Sequence, residues 1–164
     1  MGQTRPVFID VEASGFGAGS YPIEVGCALD DASTRCYLIQ PLPDWTGWDD
    51  SAEAVHRISR DLLKQRGRDP LEVARELNAL LGGRKVYSDA WGQDMSWLGR
   101  LYEACGICQR FALGSVRELL SDAQAARWHP TKCAVLEELK LTRHRASSDA
   151  LVLQTTFTRV SQMH

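Results

Sequence analysis

The sequence predicts an α/β fold: a mixed five-stranded sheet that opens with an antiparallel hairpin and carries helices on both faces. Three observations predict it. The first third of the chain is β-rich and punctuated by turn residues, and the remainder alternates helical with strand-like segments. The length of 164 residues suits one domain, residues 1–164, around a single core. A strand meander followed by alternating helix and strand implies crossover helices over a partly parallel sheet.

Arg5 to Val11 is rich in β-formers and ends in an acid–apolar–acid step, before the turn-prone run from Ala13 to Ser20. Ile23 to Leu29 and Thr34 to Ile39 form a hairpin around Asp30-Asp31-Ala32-Ser33. Pro41 to Asp50 reads as a loop, followed by short helices over Ser51 to Val55 and Ser59 to Gln65. A stronger helix covers Pro70 to Leu81. Proline stands in its first turn, Gly82-Gly83 stops it, and Leu71, Val73, Ala74, Leu77, Leu80 and Leu81 recur at helical spacing. Arg84 to Tyr87 is a short strand, Gln93 to Cys105 a helix and Phe111 to Leu113 a fifth strand. Helices over Thr131 to Leu139 and Ser147 to Gln162 complete the chain.

Bulk properties narrow the class. Lys plus Arg is 19 and Asp plus Glu 21, a net charge of −2, which argues against gripping nucleic acid through a general basic surface. It leaves open an enzyme whose bound cations supply the positive charge. No apolar run is long enough for a membrane span, and the early apolar stretch Val7–Val11 contains an acid, unlike a signal peptide. A cytoplasmic location is the resulting expectation. The five cysteines suit reduced thiols, and Cys105-Gly-Ile-Cys108, lacking two further ligands at zinc spacing, reads as a helix end followed by a turn.

The acids carry the chemistry. In Phe8-Ile9-Asp10-Val11-Glu12, two acids two residues apart share one strand face, opposite Val7, Ile9 and Val11. Neighbouring carboxylates repel unless a cation lies between them, and oxygen ligands suit Mg²⁺ or Mn²⁺. The rival reading is an edge-strand pair facing water. In His144-Arg145-Ala146-Ser147-Ser148-Asp149-Ala150, Ser147 and Ser148 are candidate helix caps. That leaves His144 in the loop and Asp149 in the first helical turn. A histidine there suits proton abstraction from water. The middle acid is Asp94, opening a helix after a short strand, with Asp89 a rival nearer the strand end.

Taken together, Asp10-x-Glu12, Asp94 and His144-x4-Asp149 resemble the three motifs of the DEDDh 3′→5′ exonucleases. That family includes ribonuclease T, oligoribonuclease and polymerase proofreading subunits. Glu12-Ala13-Ser14-Gly15, Ile23-Glu24-Val25-Gly26, Val55-His56-Arg57-Ile58-Ser59 and Gly92-Gln93-Asp94 are similar to further family segments in the same order. Ala13, Arg57, Ala90 and Gly114 depart from the family pattern, in which Thr, Gly, Asn and Asp are usual; no metal ligand is lost.

The resemblance implies a ribonuclease-H-like fold and a two-metal hydrolysis of phosphodiester bonds from the 3′ ends of single-stranded DNA or RNA. Asp10, Glu12, Asp94 and Asp149 would hold two Mg²⁺ or Mn²⁺ ions, with Asp10 bridging and His144 the general base. Backbone groups of Ala13, Ser14, Gly15 and Phe16 would receive the terminal nucleotide. Phe16 and Trp91 would stack on bases and His56 would lie near the pocket. A homodimer has family precedent and a polymerase partner stays open. The competing readings are a silent nucleic-acid-binding scaffold of the same fold, and a zinc or redox protein built on Cys105 and Cys108.

Overall fold

The computed structural model describes residues 4–163. Five strands, β1 (Phe8–Ala13), β2 (Pro22–Ala28), β3 (Thr34–Leu38), β4 (Lys85–Ser88) and β5 (Ala112–Ser115), form one sheet in the order β3-β2-β1-β4-β5. The three N-terminal strands pair antiparallel, whereas β4 runs parallel to both β1 and β5. β1 is therefore interior, which removes the edge-strand reading of Asp10 and Glu12. A shift in register between Glu12 and Ala13 ends its regular pairing with β2, a local irregularity of the kind that re-aims side chains beside active sites.

Six helices cover the sheet: α1 (Asp50–His56), α2 (Arg60–Arg66), α3 (Pro70–Leu81), α4 (Trp91–Cys105), α5 (Asp122–Leu139) and α6 (Ala146–Ser161). The alternation of β1 sorts its neighbours. Val7, Ile9 and Val11 join the main core with Val73, Leu77 and Leu81 of α3 and Leu98 and Leu101 of α4. Phe8 points the other way, packing with Leu153 and Phe157 of α6 and Val116, and its ring centroid lies 6.0 Å from that of Phe157. Full burial of a phenylalanine contributes about 1.5–3 kcal/mol. Asp10 and Glu12 share the Phe8 face and so look toward α6.

Local chemistry explains most boundaries. Asp69 caps α3 by accepting the Leu71 N–H at 2.8 Å, and Pro70 stands in its first turn. Gly106 ends α4 with φ +65°, so Cys105 closes a helix and Cys108 follows in the turn. Arg57, where the resembled family has glycine, ends α1 with φ +58°. β1 extends to Ala13, beyond its expected end at Val11. α4 begins two residues earlier than expected, at Trp91.

The largest correction concerns α5. The helix expected from Thr131 begins instead at Asp122 and runs through Pro130. A capping box explains the true start: Ser121 Oγ accepts the Gln124 N–H at 3.2 Å, and Gln124 Oε1 accepts the Ser121 N–H at 3.0 Å. Among the described residues, no helix is long and apolar enough to cross a membrane.

Candidate active site

Three separate parts of the chain converge at the C-terminal end of β1. Asp10 and Glu12 come from that strand, Asp94 from the first turn of α4, His144 from the loop before α6 and Asp149 from the first turn of α6. Ligand atoms of Glu12, His144 and Asp149 all lie within 4.8 Å of one another. Asp10 adjoins this group, its charge acting on that of Glu12 and Asp149, and its Oδ2 is buried without a hydrogen-bond partner among the described residues. Asp10, Asp89, Lys132, Arg143, His144 and Asp149 line a recess of about 160 Å³ beside α5 and α6.

Asp94 stands outside the tightest trio. It is buried, and Ser88 Oγ donates to its Oδ2. Its charge still acts on Asp10. Asp89 is turned outward, paired with Lys132 Nζ at 2.5 Å. The two rivals thus occupy different places, Asp94 inside the carboxylate cluster and Asp89 at its rim.

Electrostatics singles out the same atoms. Burial, together with the charges of Asp94, Glu12, Asp149 and Asp89, holds the Asp10 carboxyl well above the usual carboxylate range. Burial and the nearby Asp149 push Glu12 to about 8, burial raises Asp94 to about 7, and burial also raises Asp149. A buried carboxylate is expensive unless paired or bound to a cation. The unpartnered Asp10 oxygen, among carboxylates that outnumber the one imidazole, fits a divalent cation that takes oxygen ligands.

The helix caps expected at Ser147 and Ser148 are corrected. α6 begins earlier, at Ala146, and its N-cap residue, Arg145, makes no side-chain cap. Instead Glu24 of β2, fully buried, accepts the Ala146 N–H at 2.7 Å and is gripped by Arg145, whose Nη2 lies 2.7 Å from Glu24 Oε2. Sequence reasoning matched Glu24 only as part of a strand; its partners lie about 120 positions away and left no local signal.

The turn after β1 is held from α4. Trp97 Nε1 donates to Ser20 Oγ at 2.9 Å and Arg100 Nη1 to the Ser20 carbonyl at 3.0 Å. Ser14 is not free to receive a ligand through its amide: its N–H donates to the Tyr21 carbonyl at 3.0 Å, and its Oγ accepts the Tyr21 N–H at 3.0 Å. Ala13 is buried at the strand end. Gly15, Phe16, Gly17, Trp48 and Asp49 line a groove of about 530 Å³, over which Phe16 is 65% exposed.

His56 lies beneath rather than on this surface. It is buried, its ring is edge-on to Trp48, and its Nδ1 accepts the Ile58 N–H at 3.0 Å. Trp48, which its ring abuts, lines the groove, so His56 lies behind that surface. Trp91 is partly exposed, yet its Nε1 donates to the Leu113 carbonyl at 2.9 Å, tying it to β5.

No family model matches the sequence, and no curated protein matches it either. Solved structures do. Exonuclease I of Methylocaldum szegediense superposes with a TM-score of 0.71 at 12% identity, covering 98% of this chain and 41% of that one. The zinc-ion-bound complex of E. coli exonuclease I with single-stranded DNA gives 0.67 at 11%, and its complex with a dA13 oligonucleotide 0.68 at 9%, both again covering 98% and 41%. Over that two-fifths share, the chain has the same fold as these structures. This is the expected ribonuclease-H-like architecture, and the chain spans about two fifths of the length of those structures.

Proposed function

We propose that the chain is a metal-dependent 3′→5′ exonuclease acting on single-stranded nucleic acid. The observation that carries this reading is the cluster of half-buried Asp10, Glu12 and Asp149 with buried Asp94 beside them, and His144 lining the same recess. The fold adds support, because its solved counterparts are exonucleases, one of them bound to single-stranded DNA and another to a dA13 oligonucleotide.

Asp10, Glu12, Asp94 and Asp149 would hold two divalent cations, Mg²⁺ or Mn²⁺. Such ions neutralise charge developing on the phosphate and on the leaving oxygen. The chain's own residues supply the rest. His144, in the loop before α6, takes the proton of the attacking water. The N–H groups of Gly15, Phe16 and Gly17, which make no hydrogen bond among the described residues, are available to the 3′-terminal nucleotide. Phe16 offers its exposed ring for stacking, which tolerates any base.

The test is direct. Oligonucleotides of single-stranded DNA and of RNA, labelled at the 5′ end, should shorten stepwise with Mg²⁺ or Mn²⁺ and stay whole with EDTA. Whichever polymer shortens is the substrate class. Failure of both under every divalent cation sinks the enzymatic reading.

A further inference from the structure

We infer that Glu24 and Arg145 form a latch that positions His144 and Asp149 against Glu12, so that Glu24 is a positioning residue of the site. The inference rests on the exonuclease reading above, and deepens it. Its basis is a problem of geometry that β2 and α6 have to solve together. The first residues of α6 sit directly on the backbone of β2. A Cβ added to Gly26 would lie 2.1 Å from the Ala146 carbonyl carbon and from the Ser147 nitrogen. This contact strips water from the start of the helix, whose first N–H groups have no partners within the helix itself.

Glu24 answers that need from the same strand. It lies two residues before Gly26 on β2 and so shares its face. Its Oε1 accepts the Ala146 N–H at 2.7 Å and Arg145 Nε at 3.1 Å, while its Oε2 accepts Arg145 Nε at 3.0 Å and Nη2 at 2.7 Å. One carboxylate therefore caps the helix and pairs with a guanidinium in a two-pronged arrangement. Its charge is buried but not unpaired.

The latch falls between the two functional residues of the third motif. His144 precedes Arg145 and is held at φ +58°, a left-handed conformation uncommon for histidine. Asp149 follows within the first turn, its N–H bonded to the Arg145 carbonyl at 2.9 Å. On the other side, Glu24 is the direct cross-strand partner of Glu12. The pair thus ties the segment carrying His144 and Asp149 to the strand facing Glu12, and these are the three residues whose ligand atoms converge within 4.8 Å.

The experiment compares the whole chain with Glu24→Ala, Glu24→Gln and Arg145→Lys, using Mn²⁺ titration calorimetry and steady-state trimming of a labelled oligonucleotide. Circular dichroism confirms folding. In Glu24→Ala, Mn²⁺ affinity and kcat should each fall roughly 10- to 100-fold, while KM moves by less than about threefold. Arg145→Lys and Glu24→Gln, which keep part of the contact, should recover part of both, and they carry the test if Glu24→Ala does not fold. Folded variants with wild-type Mn²⁺ affinity and kcat, or a loss confined to KM, overturn the latch. A wild-type chain that binds Mn²⁺ but trims nothing overturns the exonuclease reading alone, and the titrations then decide the latch. A wild-type chain that binds no Mn²⁺ overturns both.

Discussion

In the proposed mechanism, His144 is the one residue of the cluster whose role depends on a proton rather than a charge. Removing a positioned general base costs about 10²- to 10⁴-fold in rate. His144→Ala should therefore lower kcat by that order, with KM for the oligonucleotide nearly unchanged. A steady-state comparison that found the loss in KM would assign the ring to substrate binding instead.

The carboxylates make a second prediction at this scale. Burial raises the pKa values of Asp10, Glu12, Asp94 and Asp149 in the folded state, and repulsion from neighbouring carboxylates adds to it at Asp10 and Glu12. Between the ordinary carboxylate range and these raised values, the folded chain binds more protons than the unfolded one, so stability falls as pH rises. For Glu12 the favourable contribution is complete below its ordinary 4.5 and is lost as pH rises through about 8. In EDTA, melting temperature should fall between about pH 5.5 and about pH 8.5, and Mn²⁺ should raise it most at the alkaline end. A metal-induced gain independent of pH would contradict this. At the residue scale, Asp10 and Glu12 were legible because a strand's two-residue period puts both on one face. Glu24, Ser88 and Lys132 were not, since their roles arise from partners distant in sequence or across a turn.

Among the elements, α6 matters most, because it delivers two of the five candidate residues while lying on β2 with no room to spare. A side chain at Gly26 must displace it, since the obstructing atoms are backbone. Gly26→Val should destabilise the fold by about 1–3 kcal/mol and reduce trimming further than the stability loss explains. Denaturant melts alongside activity of the folded fraction would check both parts; a stable, fully active variant would show that α6 shifts freely. Elements with strong local signals were legible: α3 from its proline, its glycine stop and its apolar spacing, and the β2–β3 hairpin from its turn. The first half of α5 was not. Its apolar residues are sparse, Pro130 imitates a beginning, and the decisive signal, Ser121 with Gln124, stands nine residues upstream.

For the whole molecule, the topology explains how an acidic cluster is tolerated at the end of an interior strand. β1 takes β2 on one side and β4 on the other, α4 grows from the end of β4, and α6 returns across β1 and β2. Three sequence-distant segments meet there because the sheet order brings them together; the constellation was readable from the spacing of its first and third motifs, with Asp94 added by order and family resemblance. The dimensions of the groove, and the burial of His56 beneath it, depended on packing no pattern of residues conveys. The central claim is that this constellation hydrolyses nucleic acid from the 3′ end. The deciding measurement follows a 5′-labelled single-stranded oligonucleotide with Mn²⁺, using wild type and Asp10→Ala in parallel. A ladder descending from full length with wild type, and intact oligonucleotide with Asp10→Ala, is the predicted result. Equal shortening by both proteins, or by neither, would contradict it.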